Sequence, residues 1–219
     1  MSYIKNHQNT QKMLFSDSEC EGEYGIPIIR PLEGEFDWCE FIPFNYAKTE
    51  EGRDYKGVHF YLDDYQFERL WNTPSRYINL LSDFKYMLTP DFSIYTDYPK
   101  ALQVFNHYRK HWLGAYYQRH GIDVIPTICW ADKDSYKWCF DGEPRNSIVS
   151  VSSVGVCQNK DSIRAFMNGY IEMLDRLHPS QILFFGNPIV KEHMTDYGNI
   201  IPMENRMRAR LIELSKRRI

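Results

Sequence analysis

The chain has 219 residues, 43% hydrophobic and 25% charged, a length and composition suited to one large soluble domain or two small ones able to bury a substantial core. A net charge of −3 and a pI near 6.2 exclude a generally basic nucleic-acid coat. No stretch approaches the ~18 consecutive apolar residues of a membrane span, and the polar segment Met1–Gln11 lacks the apolar run of a signal peptide, so a cytoplasmic protein is expected.

The cysteines, Cys20, Cys39, Cys129, Cys139 and Cys157, are odd in number and scattered, without a C-x-x-C pair, and read as reduced thiols. Aromatic residues make up 16% of the chain, enough to fill a core or to line a stacking surface; filling the interior is their commoner use.

Residues 1–20 show little periodicity, and residues 1–35 are expected to form an amino-terminal arm, with a short extended piece at Ile26–Ile29; residues 36–219 are expected to form a single α/β domain. Phe36–Phe44 alternates in part and ends at Pro43. Val58–Leu62 predicts a strand, followed by a helix through Trp71 with Asp63 or Asp64 as its N-cap, and Pro74 suits the first turn of a further helix to about Leu81. Tyr86–Thr89 leads into a strand over Pro90–Ser93. Pro99 opens the longest helix, to about Arg119, with Leu102, Phe105, Tyr108, Trp112 and Tyr116 at helical spacing as its apolar face and Gly121 as its stop.

Two further strands are predicted over Asp123–Cys129 and Ser147–Val151, with a short helix or turn near Ser135–Phe140 between them. A helix from an Asp161 cap to Leu177 places Ile163, Phe166, Met167, Tyr170, Met173, Leu174 and Leu177 inward. Gln181–Phe185 is a continuous apolar run suited to the middle of a parallel sheet, Asn199–Ile201 a short strand, and a closing helix begins near Met203. The alternation of strand and helix predicts β-α-β units around a parallel sheet, either open or curled into an incomplete barrel.

Ligands of parallel α/β folds bind beyond the carboxyl ends of the strands, where loops and helix N-termini converge. The residues that follow the predicted strands are Asp91 and Ser93, Trp130 and Asp132, Ser152, Ser153 and Gly155, then Gly186 and Asn187. They could bind a phosphate-bearing or nucleotide-like ligand: Asp91 is the candidate general base, Trp130 a stacking wall, and the Ser152–Gly155 amides an anion cradle. Capping and turn formation are the ordinary uses of the same Asp and Ser residues. The segment is neither a P-loop nor a dinucleotide fingerprint, and the sequence leaves any cofactor open.

His107 and His111 share a helix face but lack the glutamate of H-E-x-x-H, so exposed helix surface is expected there and no metal. Asp141-Gly142-Glu143-Pro144 reads as a turn with solvated carboxylates. Arg206, Arg210, Lys216, Arg217 and Arg218 gather in the last helix, where cations are favoured by the helix dipole and offer an alternative nucleic-acid contact.

Taken together, P-D-F-S (Pro90–Ser93), N-H-Y-R-K-H-W-L-G-A-Y-Y-Q (Asn106–Gln118), G-I-D-V-I-P-T-I-C-W (Gly121–Trp130), F-D-G-E-P (Phe140–Pro144) and S-V-S-S-V-G (Ser150–Gly155) resemble an uncharacterised domain-of-unknown-function family of bacteria, phages and mobile elements. The resemblance covers about Phe36 to Asn187. It implies a phage or mobile-element setting and transfers no activity. In that setting, a non-catalytic nucleic-acid-binding accessory protein and an inhibitor of a host protein are the alternatives to a rim-site ligand.

Overall fold

The structure is a computed structural model that describes residues 18–154, 159–186 and 198–203. A short antiparallel hairpin, β1 (Cys20–Glu21) with β2 (Ile26–Pro27), precedes the parallel strands β3 (Glu40–Pro43) and β4 (Lys56–His59). Helices α1 (Glu68–Asn72) and α2 (Ile78–Ser82) then lead to β5 (Tyr86–Leu88) and the long α3 (Lys100–Arg119). The remaining described elements are β6 (Val124–Ile125), β7 (Thr127–Ile128), β8 (Ile148–Ser152), α4 (Lys160–Leu177), β9 (Gln181–Phe185) and β10 (Ile200–Met203).

The strands form two four-stranded parallel sheets, β3-β4-β5-β6 and β7-β8-β9-β10, so neighbours in the sheet are neighbours in the chain. β6 and β7 are halves of one extended segment interrupted at Pro126, which has no N–H to give to a ladder. On one side of that break the segment pairs with β5, and on the other with β8. Thr89 bridges the interruption: its hydroxyl accepts from the Thr127 amide at 2.8 Å, and its carbonyl accepts from the Thr127 hydroxyl at 3.0 Å. A consecutive order of parallel strands places right-handed crossovers on one face of the sheets.

The other face turns inward, where the Phe185 ring of β9 meets Phe41 of β3, His59 and Tyr61. Among the described residues no pairing joins β3 to β10, so the sheets are open and do not close into a barrel. Two apolar clusters fill the interior. One gathers Phe41, Val58, Met87, Trp112 and Phe185, the other Val149, Phe166, Tyr170, Met173 and Phe184. Of the segment expected to form an arm, Ile26 and Ile29 are fully buried, and β2 lies against α3.

Several local expectations need correction. The predicted apolar face of α3 is inverted in part, because Leu102 and Phe105 are 39% and 44% exposed whereas Gln103, Asn106, His107, Arg109, Lys110 and His111 are buried. Those polar groups have partners from other elements waiting for them, which periodicity of apolar residues does not register. Asp63 and Asp64 do not cap a helix by side-chain hydrogen bonds; a 3-10 turn, Asp64–Gln66, precedes α1 instead.

The strand before the third crossover ends at Leu88, leaving 90–93 as irregular chain. The cap of α4 is Asn159, not Asp161, in a reciprocal arrangement with Ser162. At the other end His178 takes a left-handed conformation before Pro179, so the predicted stop is there. The closing helix predicted near Met203 lies beyond the described residues.

Gly57 of β4 faces the Phe41 ring, and a Cβ placed there would sit 2.3 Å from a ring carbon. Gly57→Ala is therefore expected to destabilise the fold by about 1–3 kcal/mol, as other overpacked interiors do, measured by urea unfolding.

Candidate functional site

The carboxyl end of β5 runs into Thr89-Pro90-Asp91-Phe92-Ser93, and three elements hold this loop. The Asp64 carboxylate, beyond β4, accepts from the Ser93 amide at 3.1 Å and from its hydroxyl at 2.8 Å. Asn106 of α3 donates to the Ser93 carbonyl at 2.6 Å. The Arg109 guanidinium lies 3.8 Å from the centre of the Phe92 ring while donating to both oxygens of Glu68 and to Asn106. Asp91 is thus presented on a loop whose neighbours on the carboxyl side are fixed by charge-assisted bonds.

Around Asp91, Tyr61, Ser150, Thr127 and Lys110 supply a polar layer. The Tyr61 hydroxyl is 2.7 Å from that of Ser150, and Lys110, rising from α3, donates to the Thr127 carbonyl at 2.8 Å and to Glu143 at 2.6 Å. Lys110 and Glu143 are both buried, and Glu143 Oε1 also lies 3.0 Å from His111 Nε2. Burial alone would favour neutral forms of this pair. Their mutual attraction wins, holding Lys110 above its usual pKa and, with His111, Glu143 below its own.

Asp91 behaves oppositely. Burial pushes its carboxyl up to about 7, the Asp64 charge adds to the rise, and Lys110 and a hydrogen bond with Cys129 only partly offset it. The residue nevertheless keeps partial solvent exposure. A carboxyl balanced near neutrality at the edge of a buried polar layer can both give and take a proton. Its neighbours are not competitors for that role: burial pushes the Cys129 thiol up to about 12, Tyr61 well above the usual phenol range, and His59 down to about 3.

The remaining predicted site residues fall in different places. Trp130 is half-buried against α4, its indole occupying the space a Cβ on Gly169 would take and facing Phe166 at 5.1 Å. Asp132 pairs with Lys100 at 3.0 Å and accepts from the Ser135 amide at 3.0 Å, and these contacts hold its carboxyl below the usual range.

The Ser152 hydroxyl accepts from the Val154 amide at 3.1 Å, and the Ser153 amide is bonded to the Phe185 carbonyl at 2.8 Å. Those two amides are therefore already engaged. Gly186 is a glycine for a local reason, since a Cβ would lie 1.9 Å from the Ser153 hydroxyl. Gly155, Asn187, Arg206, Arg210, Lys216, Arg217 and Arg218 lie outside the described residues.

Two readings of polar sequence are overturned. His107 and His111 are not exposed helix surface but are buried, and the Glu143 carboxylate of the 141–144 turn is buried rather than solvated. The groups that sequence reasoning passed over are Tyr61, Asp64, Lys110 and Cys129. Their signal is weak in one dimension: Asp64 looks like a cap, and Lys110 sits in the polar run H-Y-R-K-H. A surface recess of about 470 Å³ at the amino ends of β8 and β9 has Glu35 as its only carboxylate among lining residues such as Pro31, Phe36, Asn146 and Gln181. The chemistry is concentrated at the opposite end of the strands.

The fold is a parallel α/β architecture in which the half-buried Asp91 follows the carboxyl end of β5. Residues 18–204 match the family model described as Domain of unknown function (DUF4417), and the chain belongs to that family. It is 41% identical to the Gene 1 protein of Mycobacterium phage L5 over 77% of this chain and 73% of that protein. To the Gene 1 protein of Mycobacterium phage D29 it is 38% identical, over 84% of this chain and 70% of the relative. No solved structure matches. The phage setting implied by the sequence motifs is thus that of its relatives, and no described helix is long and apolar enough to cross a membrane.

Two predictions follow from the geometry. Lys110→Met leaves Glu143 charged and buried and should cost about 3–5 kcal/mol, whereas adding Glu143→Leu should recover much of the loss, a comparison made by chemical denaturation of both variants. Because the folded pKa of Asp91 lies above its unfolded value, its contribution to stability is fully present below about pH 4 and is lost as pH rises through about 7. Asp91→Asn should therefore gain about 2–4 kcal/mol relative to the parent between acidic and mildly alkaline pH, with the carboxyl itself followed by NMR titration.

Proposed function

We propose that this protein binds a small polar ligand at the carboxyl-end rim of its parallel strands and processes it by proton transfer through Asp91. The observation that carries this reading is Asp91, a half-buried residue whose carboxyl is raised to about 7 by its surroundings. Asp64 and Asn106 position the loop through Ser93, and the buried Lys110 limits how far the Asp91 pKa rises. A group with this balance takes a proton from a ligand when ionised and returns it when neutral, at neutral pH and without a large driving-force penalty.

The ligand class we propose remains a phosphate-bearing or nucleotide-like molecule, and its support is the position of the site in a parallel α/β fold. The described geometry favours contact between Asp91 and a hydroxyl, amine or carbon-bound proton of such a molecule over direct contact with its phosphate. Two carboxylates face that position, and the Ser153 and Val154 amides are engaged.

The test is incubation of the wild-type protein and Asp91→Asn with a mixture of nucleotides, nucleosides and sugar phosphates, followed by mass spectrometry and deuterium incorporation from heavy water. Wild type should convert or exchange one component, with a pH profile inflecting near 7, and the variant should lose at least about 100-fold of the rate. Equal turnover by a folded Asp91→Asn would overturn the role of Asp91. Absence of any conversion, exchange or binding by wild type would overturn the ligand class.

A further inference from the structure

The two histidines of α3 carry a signal that the rim site does not use. His107 and His111 stand one turn apart with ring centroids separated by 4.3 Å, and with Glu143 they bring one ligand atom each to within 4.8 Å of the others. All three residues are buried.

Backbone carbonyls settle which ring nitrogens carry hydrogen, since a carbonyl can only accept. The Pro27 carbonyl is 2.9 Å from His111 Nδ1, and the Asp141 carbonyl is 3.1 Å from His107 Nε2. Those two nitrogens are therefore donors, and in neutral rings the lone pairs fall on His107 Nδ1 and His111 Nε2. Among the described residues, His107 Nδ1 has no hydrogen-bond partner, and neither does Glu143 Oε2. His111 Nε2 faces Glu143 Oε1 at 3.0 Å, acceptor against acceptor. Lys110 donates to Glu143 Oε1 alone, and the two buried acceptors left over, His107 Nδ1 and Glu143 Oε2, are costly unless something positive lies between them.

We propose that His107 Nδ1, His111 Nε2 and Glu143 Oε2 bind a divalent first-row transition ion, zinc foremost, which ties α3 to the β1–β2 hairpin and to the 141–144 turn. Two imidazoles and a carboxylate form a borderline donor set suited to that class of ion, with a fourth position left for a water. Each histidine also has the outer partner that metal-binding histidines usually have, a carbonyl accepting from its other nitrogen, and here those carbonyls come from the two segments being tied. Lys110 already satisfies Glu143 Oε1 and leaves Oε2 to the ion.

The same Lys110 defines the competing arrangement. A second cation close to its ammonium costs Coulomb energy, and a single proton on His111 Nε2 would instead let that nitrogen donate to Glu143 Oε1. Metal analysis separates the two. Protein produced in zinc-supplemented medium and purified without chelator should contain about one ion per chain, and the chelator-stripped protein should take up Co²⁺ with visible d–d absorption. His107→Gln, which keeps the volume and removes one ligand, should lose both signals while retaining its circular dichroism. Wild type with no stoichiometric metal and no cobalt band would overturn the proposal, as would a His107→Gln protein that keeps full metal. Nitrogen-15 spectra showing hydrogen on both nitrogens of His111 in the purified protein would assign the proton arrangement instead.

Discussion

The buried ion pair between Lys110 and Glu143 is the constraint around which the rest of the molecule is arranged. Two opposite charges lie in the interior at 2.6 Å, joined to the Thr127 carbonyl of β7 and to His111. Such a pair is tolerable only if both members are held in place, because separating them leaves an uncompensated charge in a medium that solvates it poorly. It therefore fixes three things together: the rotation of α3, the position of the 141–144 turn, and the point at which the chain passes from one sheet to the other.

That last point links the pair to the rim. Pro126 breaks the ladder between β6 and β7, and Thr89 and Lys110 satisfy groups on Thr127 that a regular strand would satisfy otherwise. Thr89 in turn begins the loop that carries Asp91. The Lys110 charge reaches Asp91 and restrains the rise of its pKa, while Asp64 pushes it further up. One cation thus stabilises a carboxylate on one side and tempers a carboxyl on the other. Their different ionisation follows from distance and hydrogen bonding, since Glu143 contacts Lys110 directly and Asp91 does not depend on such a contact.

The aromatic share of the chain is explained mainly by the interior. Phe41, His59, Tyr61 and Phe185 meet across the inward faces of the sheets, and Trp71, Trp112 and Phe105 form edge contacts at α3. Large flat side chains fill the space between curved sheets that do not close on themselves. Trp130 belongs with them, since its indole fits against Gly169 rather than standing free at the rim.

The sequence by itself determined the parallel α/β class, the position of most strands, the ends of α3 and the carboxyl end of α4, and the candidacy of Asp91. Each of these rests on local physics: short apolar runs, proline and glycine punctuation, and the rule that ligands gather at the carboxyl ends of parallel strands. Only the tertiary structure decided which face of α3 is buried, because a polar helix face becomes an interior face when distant segments bring matching partners. Pro27, Thr127, Asp141 and Glu143 approach that face from three separate stretches of chain, and their hydrogen bonds and charges are invisible to a periodicity of apolar residues. The same holds for Asp64, whose sequence position suggests a helix cap and whose carboxylate instead holds the Asp91 loop, a role set by the packing of β4 beside β5.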